Sequence, residues 1–353
     1  MSNKLENARV LVIGAAGFIG GFVVSELLKE PVKEVIIYDN FTRGKMENIE
    51  DSLKDPRCSI FPYGGDVREI DVLDKAMEGV DYVFHLAAMW LLHCKDFPRT
   101  AFDVNIAGTF NVLEACVKHK VKKLIYSLSA SVYGDAVQVP MTEDHPFNNK
   151  NFYGATKIAG EAMCTAYNDR YGLEIVGLRY MNVYGPGQDQ HAVYSGVVPI
   201  VLNKIDRNEA PSVNGDGSQA YDFIYVEDIA RCNIAAAKSD IKLGYYNVGT
   251  QIQTSIKQLC DTMLKLKNSD LKISGNLNKI YGSSMFGNAY WEMDVTVTSS
   301  NGNSITVNTK RDYPSSYLAS TACNNMGTSF APSVKQLIGD ILDHKDFSKL
   351  VRK

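Results

Sequence analysis

Arg9-Val-Leu-Val-Ile13, followed without a break by Gly14-Ala-Ala-Gly-Phe-Ile-Gly20, decides the fold. The first five residues are a short apolar, β-branched run suited to a parallel strand buried on both faces. The glycines after it let the backbone turn tightly and approach a pyrophosphate at the N-terminus of the next helix, where free N–H groups and the helix dipole favour anions. The spacing is G-x-x-G-x-x-G, a variant of the commoner G-x-G-x-x-G, and it puts Gly14, Gly17, Phe18, Ile19 and Gly20 against a dinucleotide. A second strand, Glu34-Val-Ile-Ile-Tyr38, ends in Asp39, nineteen residues after Gly20, with Asn40 beside it. A carboxylate there binds the adenosine ribose hydroxyls and repels a 2′-phosphate, so NAD is favoured over NADP. Arg43 and Lys45 stand close enough to weaken that preference, unless they are simply solvated loop cations.

Tyr153 and Lys157 lie one helical turn apart in Asn151-Phe-Tyr-Gly-Ala-Thr-Lys157. The spacing puts both on one helix face. A free phenol has a pKa near ~10, and a cation within a few ångströms favours the phenolate, so the pair is expected to work as a base. The same spacing is common on solvated helix faces, and it gains chemical meaning only from the glycine turn and Asp39 upstream.

Apolar runs near residues 9–13, 34–39, 59–62, 81–85, 122–128 and 174–179 alternate with amphipathic stretches such as Ala101–Lys118. This order predicts an α/β fold, a doubly wound parallel sheet with right-handed crossovers. Composition agrees: 353 residues with 45% hydrophobic content can bury a sizeable core, and a net charge of -3 offers no basic field for nucleic acid. Seven cysteines without a C-x-x-C suggest neither a disulfide framework nor a zinc site, and no metal is expected. The stretch Val10–Val24 is a nucleotide turn and not a signal peptide, and no run of about twenty apolar residues could span a bilayer, so a soluble, cytoplasmic protein is expected.

With these signals joined, the chain resembles the extended short-chain dehydrogenase/reductase family, and within it the nucleotide-sugar epimerases and dehydratases. The resemblance runs from about residue 8 to 265 and rests on further motifs in order. Gly65-Asp-Val67 matches the strand end along the adenine, implicating Asp66 and Val67. His85-Leu-Ala-Ala88 matches the loop under the cofactor phosphates and ribose, implicating Leu86, Ala87 and Ala88. Asn105 matches the asparagine of the following helix, and Tyr126-Ser-Leu-Ser-Ala-Ser-Val-Tyr-Gly134 the strand carrying a catalytic hydroxyl, which by its place four residues before Tyr133 is Ser129. The stretches 178–188 and 215–228 are similar to the two substrate-side signatures. The resemblance implies an NAD(P)-binding Rossmann domain over 1–181 and a smaller mixed α/β substrate lobe beginning at 182–272. It also implies NAD as cofactor, a UDP- or GDP-hexose as substrate and a homodimer through the Ala101–Lys118 and Tyr153–Tyr171 helices.

By the same resemblance, Tyr153 takes a sugar hydroxyl proton while hydride leaves the same carbon for the nicotinamide, Lys157 binds the nicotinamide ribose, and Ser129 bridges Tyr153 and the sugar oxygen. Tyr180 is expected on the cofactor side; Asn182, Ser131 and Tyr221 on the substrate side. Trp90 is placed to stack on a hexose and His93 to donate to it, with His191 a further pocket candidate and plain packing the alternative for each. Dehydratases of the family carry an Asp-Glu pair directly after the catalytic hydroxyl, and here those positions are Ala130 and Ser131. Without that acid and base a 4-keto sugar has nothing to eliminate, which favours 4-epimerisation. A nucleotide-sugar dehydratase or reductase remains an alternative.

Two departures bear on turnover. Many relatives carry Arg before the Asp-Phe of the second substrate signature, paired with the diphosphate; this chain has Tyr221, which cannot supply the charge or the fork of a guanidinium. From Ile273 to Ala331 only six of 59 residues are charged, and the family's closing pattern is missing, so 273–353 is expected as an atypical segment of different origin. Alternation over Asp294–Asn308 predicts a β-hairpin, and Val334, Leu337, Ile338, Ile341 and Leu342 predict one face of a terminal helix. Gly327-Thr-Ser-Phe-Ala-Pro332 is similar to the nucleophile turn of subtilisin-like peptidases, but the His and Asp stretches that such a serine needs are missing. An NAD-binding protein of this fold with weak or no turnover is therefore the second hypothesis.

Overall fold

The structure is a computed structural model and describes residues 3–188, 196–207, 209–211, 213, 215–267, 273–283, 289–299, 302–314 and 319–350. The apolar runs form the parallel strands β1 (Arg9–Ile13), β2 (Glu34–Tyr38), β3 (Cys58–Ile60), β4 (Tyr82–His85), β5 (Lys123–Ser129) and β6 (Glu174–Tyr180). Three short strands follow, β7 (Asn182–Tyr184), β8 (Ala220–Tyr221) and β9 (Phe223–Tyr225), and then β10 (Leu243–Val248) and β11 (Thr254–Ser255). Seven of these make one sheet in the order β10-β6-β5-β4-β1-β2-β3, parallel throughout. Alternation sends Val10 and Val12 into one hydrophobic core and Leu11 and Ile13 into the other, so β1 is buried on both faces, as its unbroken apolar run requires. From β1 the chain winds one way to β2 and β3 and the other way to β4, β5 and β6. The crevice beyond the carboxyl ends of β1 and β4 is the switch point where such sheets bind ligands.

The sequence reading omits β10. Gly244 interrupts its apolar pattern and most of its residues are only half-buried, so it looks like a loop until it pairs with β6. The first compact unit is Met1–Ile200 with Asn214–Ile256, and the second is Val201–Val213 with Lys257–Lys353. The sheet thus takes in a strand from beyond residue 182, since β10 pairs with β6 at its edge.

In the second unit, β12 (Ile273–Ser283), β13 (Tyr290–Ser299) and β14 (Ser304–Asp312) form an antiparallel sheet of their own. The hairpin has the expected register, Val295 opposite Val307 and Val297 opposite Ile305, and these side chains pack with Met293 and Leu337 in a separate core. The terminal helix is longer than expected, Ala319–Leu342, and its buried stripe is narrower. Leu337 is buried with Val334 and Ile341 against the sheet, whereas Ile338 and Leu342 face solvent, because one helix over a small sheet buries only a strip. The Gly327–Pro332 fragment lies inside this helix, and the Ser329 hydroxyl donates to the Met326 carbonyl instead of facing a base.

Candidate active site

The glycine turn closes on itself at the end of β1. Gly14 has φ +82, and a β-carbon on Gly20 would lie 2.2 Å from the Gly14 carbonyl oxygen, so only glycine permits the helix Phe18–Leu28 to start this close. Gly17 is the N-cap of that helix, with Phe18 and Ile19 in its first turn. Asp39 faces the turn: its carboxylate accepts from the Ala16 amide at 2.9 Å and from the Phe41 amide at 2.8 Å, and burial raises its pKa against the pull of these donors. Asn40 donates to Asp66, whose carboxyl is held down at about 2 by the forked hydrogen bonds of Arg68. Val67 packs under the Gly108 backbone, where a β-carbon would be 2.5 Å from its methyl. On the other side of the turn, the Leu86 and Ala87 amides donate to the Ile13 carbonyl, and Ala88 follows them. A turn without room for side chains at Gly14 and Gly20, a carboxylate on the β2 side and exposed amides at a helix start together fit a dinucleotide.

Tyr153 and Lys157 stand on the helix Phe152–Tyr171, which Asn151 caps by accepting from the Gly154 amide at 2.8 Å and Gly172 ends at φ +70. Ser129 ends β5. Its hydroxyl accepts from the Ser131 amide at 3.2 Å and donates to the Ser131 hydroxyl at 3.1 Å, and its nearness pulls the Tyr153 phenol's pKa down in part. The structure corrects one expectation about this pair. The Lys157 ammonium donates to the Ser127 carbonyl at 2.8 Å and lies 5.8 Å from the centre of the Tyr153 ring. Burial dominates both groups, raising Tyr153 to about 12 and lowering Lys157 to about 8. In these surroundings the phenol is favoured over the phenolate, because desolvation opposes the charged form more strongly than the Ser129 hydroxyl favours it.

A buried polar chain supports the pair. Asn105 sits in a π-helical turn, Phe102–Ala107, and holds the cofactor loop by accepting from the Met89 amide at 2.7 Å and donating to the Met89 carbonyl at 2.9 Å. It also donates to Thr156, whose hydroxyl donates to the Tyr153 carbonyl, and Thr109 donates to the Asn105 carbonyl and meets His85. His85 is fully buried, and burial followed by the Lys157 charge lowers it to about 3, so it is neutral. Behind Tyr153, Arg179 makes a forked ion pair with Glu161 and donates to Tyr133 at 2.7 Å and to the Glu143 carbonyl at 3.0 Å. Sequence reading missed this pair and the roles of Thr156 and Ser127, since nothing in local spacing announces them.

The remaining expected residues are more scattered. Tyr180 is buried with its hydroxyl between Ser127 and Asn233, which leaves only its ring for a cofactor. Ser131 stands beside Ser129, and Ala130 separates them without any carboxylate. Asn182 is exposed on β7, and Tyr221 is 43% exposed on β8. The Trp90 ring carries the Arg43 guanidinium 4.9 Å from its centre and His93 at its edge. His191 lies outside the described residues. Among the described residues no group of His, Cys, Asp and Glu could hold a metal ion, and no helix is long and apolar enough to cross a membrane.

Residues 10–249 match the NAD dependent epimerase/dehydratase family. A putative UDP-glucose 4-epimerase of Methanocaldococcus jannaschii is 37% identical over 257 residues, covering 71% of this chain and 80% of its own. The solved UDP-N-acetylglucosamine 4-epimerase of Methanobrevibacter ruminantium, in complex with UDP-N-acetylmuramic acid, is 35% identical with a TM-score of 0.71, over 75% of this chain and 84% of that one. The UDP-glucuronic acid 4-epimerase of Bacillus cereus, solved with UDP-glucuronic acid and NAD, is 31% identical with a TM-score of 0.67, over 74% of this chain and 83% of that one.

Proposed function

We propose, from the premise that this chain belongs to the NAD dependent epimerase/dehydratase family, that it inverts C4 of a nucleotide-linked hexose through a transient 4-keto sugar. It is an epimerase with NAD as cofactor. The observation that carries the reaction type is the turn after Ser129, where Ala130 and Ser131 place no carboxylate beside the catalytic hydroxyl. Nothing there can protonate a leaving water, so a keto sugar held at the site has reduction as its simplest exit.

When bound, NAD supplies the hydride acceptor and, in its oxidised form, a positive ring. Tyr153, having first lost its own proton to solvent where the positive ring of the bound cofactor offsets its burial, would accept the sugar hydroxyl proton as the C4 hydride departs and return it when hydride comes back to the opposite face, so electrons and protons balance over the cycle. Ser129 is assigned to bridge Tyr153 and the sugar oxygen and so to fix the reacting oxygen. Lys157, buried and bonded to the Ser127 carbonyl, has two further N–H donors on its ammonium and is assigned to hold the nicotinamide ribose. Asp39 and the Gly14–Gly20 turn hold the adenosine end. Tyr180 on the cofactor side, and Asn182, Ser131 and Tyr221 on the substrate side, complete the assignment.

A UDP-hexose is the proposed substrate class, supported by the relatives' substrates. A homodimer is proposed through the Gly108–Lys118 and Phe152–Tyr171 helices, where Phe110 and Tyr171 are exposed and Tyr167 joins them edge to ring. The second reading, an NAD-binding protein with little turnover, is favoured by Tyr221 and by the separate sheet of the second unit. Incubation with UDP- and GDP-hexoses, followed by NMR of the C4 proton, distinguishes the two. Inversion is expected with wild type and a loss of at least about a hundredfold with Tyr153→Phe. Full activity in Tyr153→Phe would remove the mechanism.

A further inference from the structure

We propose that Arg43 and Trp90 form a clasp across the mouth of the dinucleotide crevice that keeps the reduced cofactor in place while the sugar is a ketone. The inference rests on the epimerase reading for its purpose, but not for its geometry.

Trp90 lies just beyond β4 and Arg43 just beyond β2, and these are the two neighbours of β1 in the sheet. The glycine turn at the end of β1 lies between them. Each lip of the crevice is tied to this turn. On the β2 side, the Lys45 amide donates to the Ala16 carbonyl at 2.9 Å, Asn48 donates to the same carbonyl at 2.8 Å, and Asp39 accepts from the Ala16 amide. On the β4 side, the Leu86 and Ala87 amides donate to the Ile13 carbonyl, and Asn105 pins both backbone groups of Met89. The lips are two strand spacings apart, about 10 Å at the sheet. Among the described residues, the aromatic–cation pair that joins them is the stack of the Arg43 guanidinium on Trp90, 4.9 Å from the ring centre. A dinucleotide seated on the Gly14–Gly20 turn would occupy the crevice that these two lips bound.

Retention matters for a redox-neutral cycle. If NADH escapes while the sugar is oxidised at C4, the ketone is stranded and the enzyme must find a new oxidised cofactor. A clasp that slows cofactor loss without touching the reacting carbon protects each turnover. It also gives Arg43 a task different from contact with a 2′-phosphate, since its guanidinium is turned toward the β4 lip.

The test is cofactor dissociation from the full-length protein, with no sugar present. Protein loaded with NADH is mixed with excess NAD, and the loss of bound NADH fluorescence is followed. Arg43→Ala and Trp90→Ala should each release NADH about tenfold faster, the size of a partly desolvated cation–π contact, and the double variant should release it no faster than either alone. Trp90→Phe should fall between. Arg43 is exposed, so its variant tests the clasp even if Trp90→Ala folds poorly. Wild-type release from Arg43→Ala, or effects that add in the double variant, would overturn the clasp. Because no sugar enters the measurement, failure here leaves the epimerase reading standing, and absence of C4 inversion leaves the clasp standing.

Discussion

Gly154 stands directly against Ser131: a β-carbon at 154 would lie 2.5 Å from the Ser131 carbonyl oxygen and 2.2 Å from Asn149 Oδ1. The missing side chain lets the first turn of the Phe152–Tyr171 helix, which carries Tyr153, approach the Ser129–Ser131 turn. Gly154→Ala is expected to push the two elements apart. Stability should fall by about 1–3 kcal/mol by urea unfolding. kcat should fall about a hundredfold, because a displacement of about 1 Å at the reacting groups has that effect. Gly327→Ala, in a helix with open space around it, should leave both unchanged or slightly stabilise the protein.

Lys157 contributes an opposite signature, in pH. Its folded pKa of about 8 lies below the ordinary 10.5, so the unfolded chain binds this proton more tightly. Below pH 8 both states are charged and the burial penalty is present in full; between about 8 and 10.5 it shrinks, and stability rises with pH. Tyr153 acts the other way, at higher pH. Its folded pKa of about 12 exceeds the ordinary 10, so its contribution is complete below pH 10 and is lost as pH climbs through 12. Lys157→Met should therefore abolish turnover yet stabilise the ligand-free protein by about 2–3 kcal/mol at pH 7, with the gain vanishing near pH 10. Denaturant midpoints at pH 7, 8, 9 and 10 check this, and a gain independent of pH would refute the assignment.

Arg179 and Glu161 are both buried, and each is the other's charge partner. Removing the guanidinium alone leaves a carboxylate without water, at a cost of about 3–5 kcal/mol. Arg179→Met is expected to lose that much stability, and Arg179→Met with Glu161→Met to recover most of it. Glu161 follows Lys157 by one turn on the same helix, so a partial loss of kcat should accompany the single variant and reverse in the double.

Tyr221 offers a gain of function. Its side chain is 43% exposed, at the position where the family resemblance implies an arginine for the diphosphate. Tyr221→Arg should lower the KM for a UDP-hexose about tenfold with little change in kcat, since a charge-assisted hydrogen bond to the diphosphate is made equally in ground and transition states. Titration calorimetry with UDP checks the same contact without turnover.

Much of the site is legible along the chain because it is local. Tyr153 and Lys157 share a face through helical spacing, and strand, glycine turn and helix follow one another without interruption. The supporting pairs are not local: Lys157 reaches Ser127 thirty positions away, and Arg179 reaches Glu161 across eighteen. Arg43 and Trp90 come from separate loops, and no periodicity links them. The strand β10 escapes notice for a related reason, because its half-buried residues become a strand only when β6 supplies hydrogen-bond partners.

The sequence by itself determined the α/β dinucleotide fold and proposed the glycine turn, Tyr153, Lys157 and Ser129 as its site, because each of these signals depends on residues a few positions apart. It also pointed to the hairpin of the second unit, which alternation specifies. Only the tertiary structure decided that burial holds the Tyr153 pKa up, that Lys157 gives one hydrogen bond to the Ser127 carbonyl, and that Trp90 carries a guanidinium. These outcomes depend on desolvation and on contacts summed over every surrounding element, and no stretch of chain contains its own surroundings.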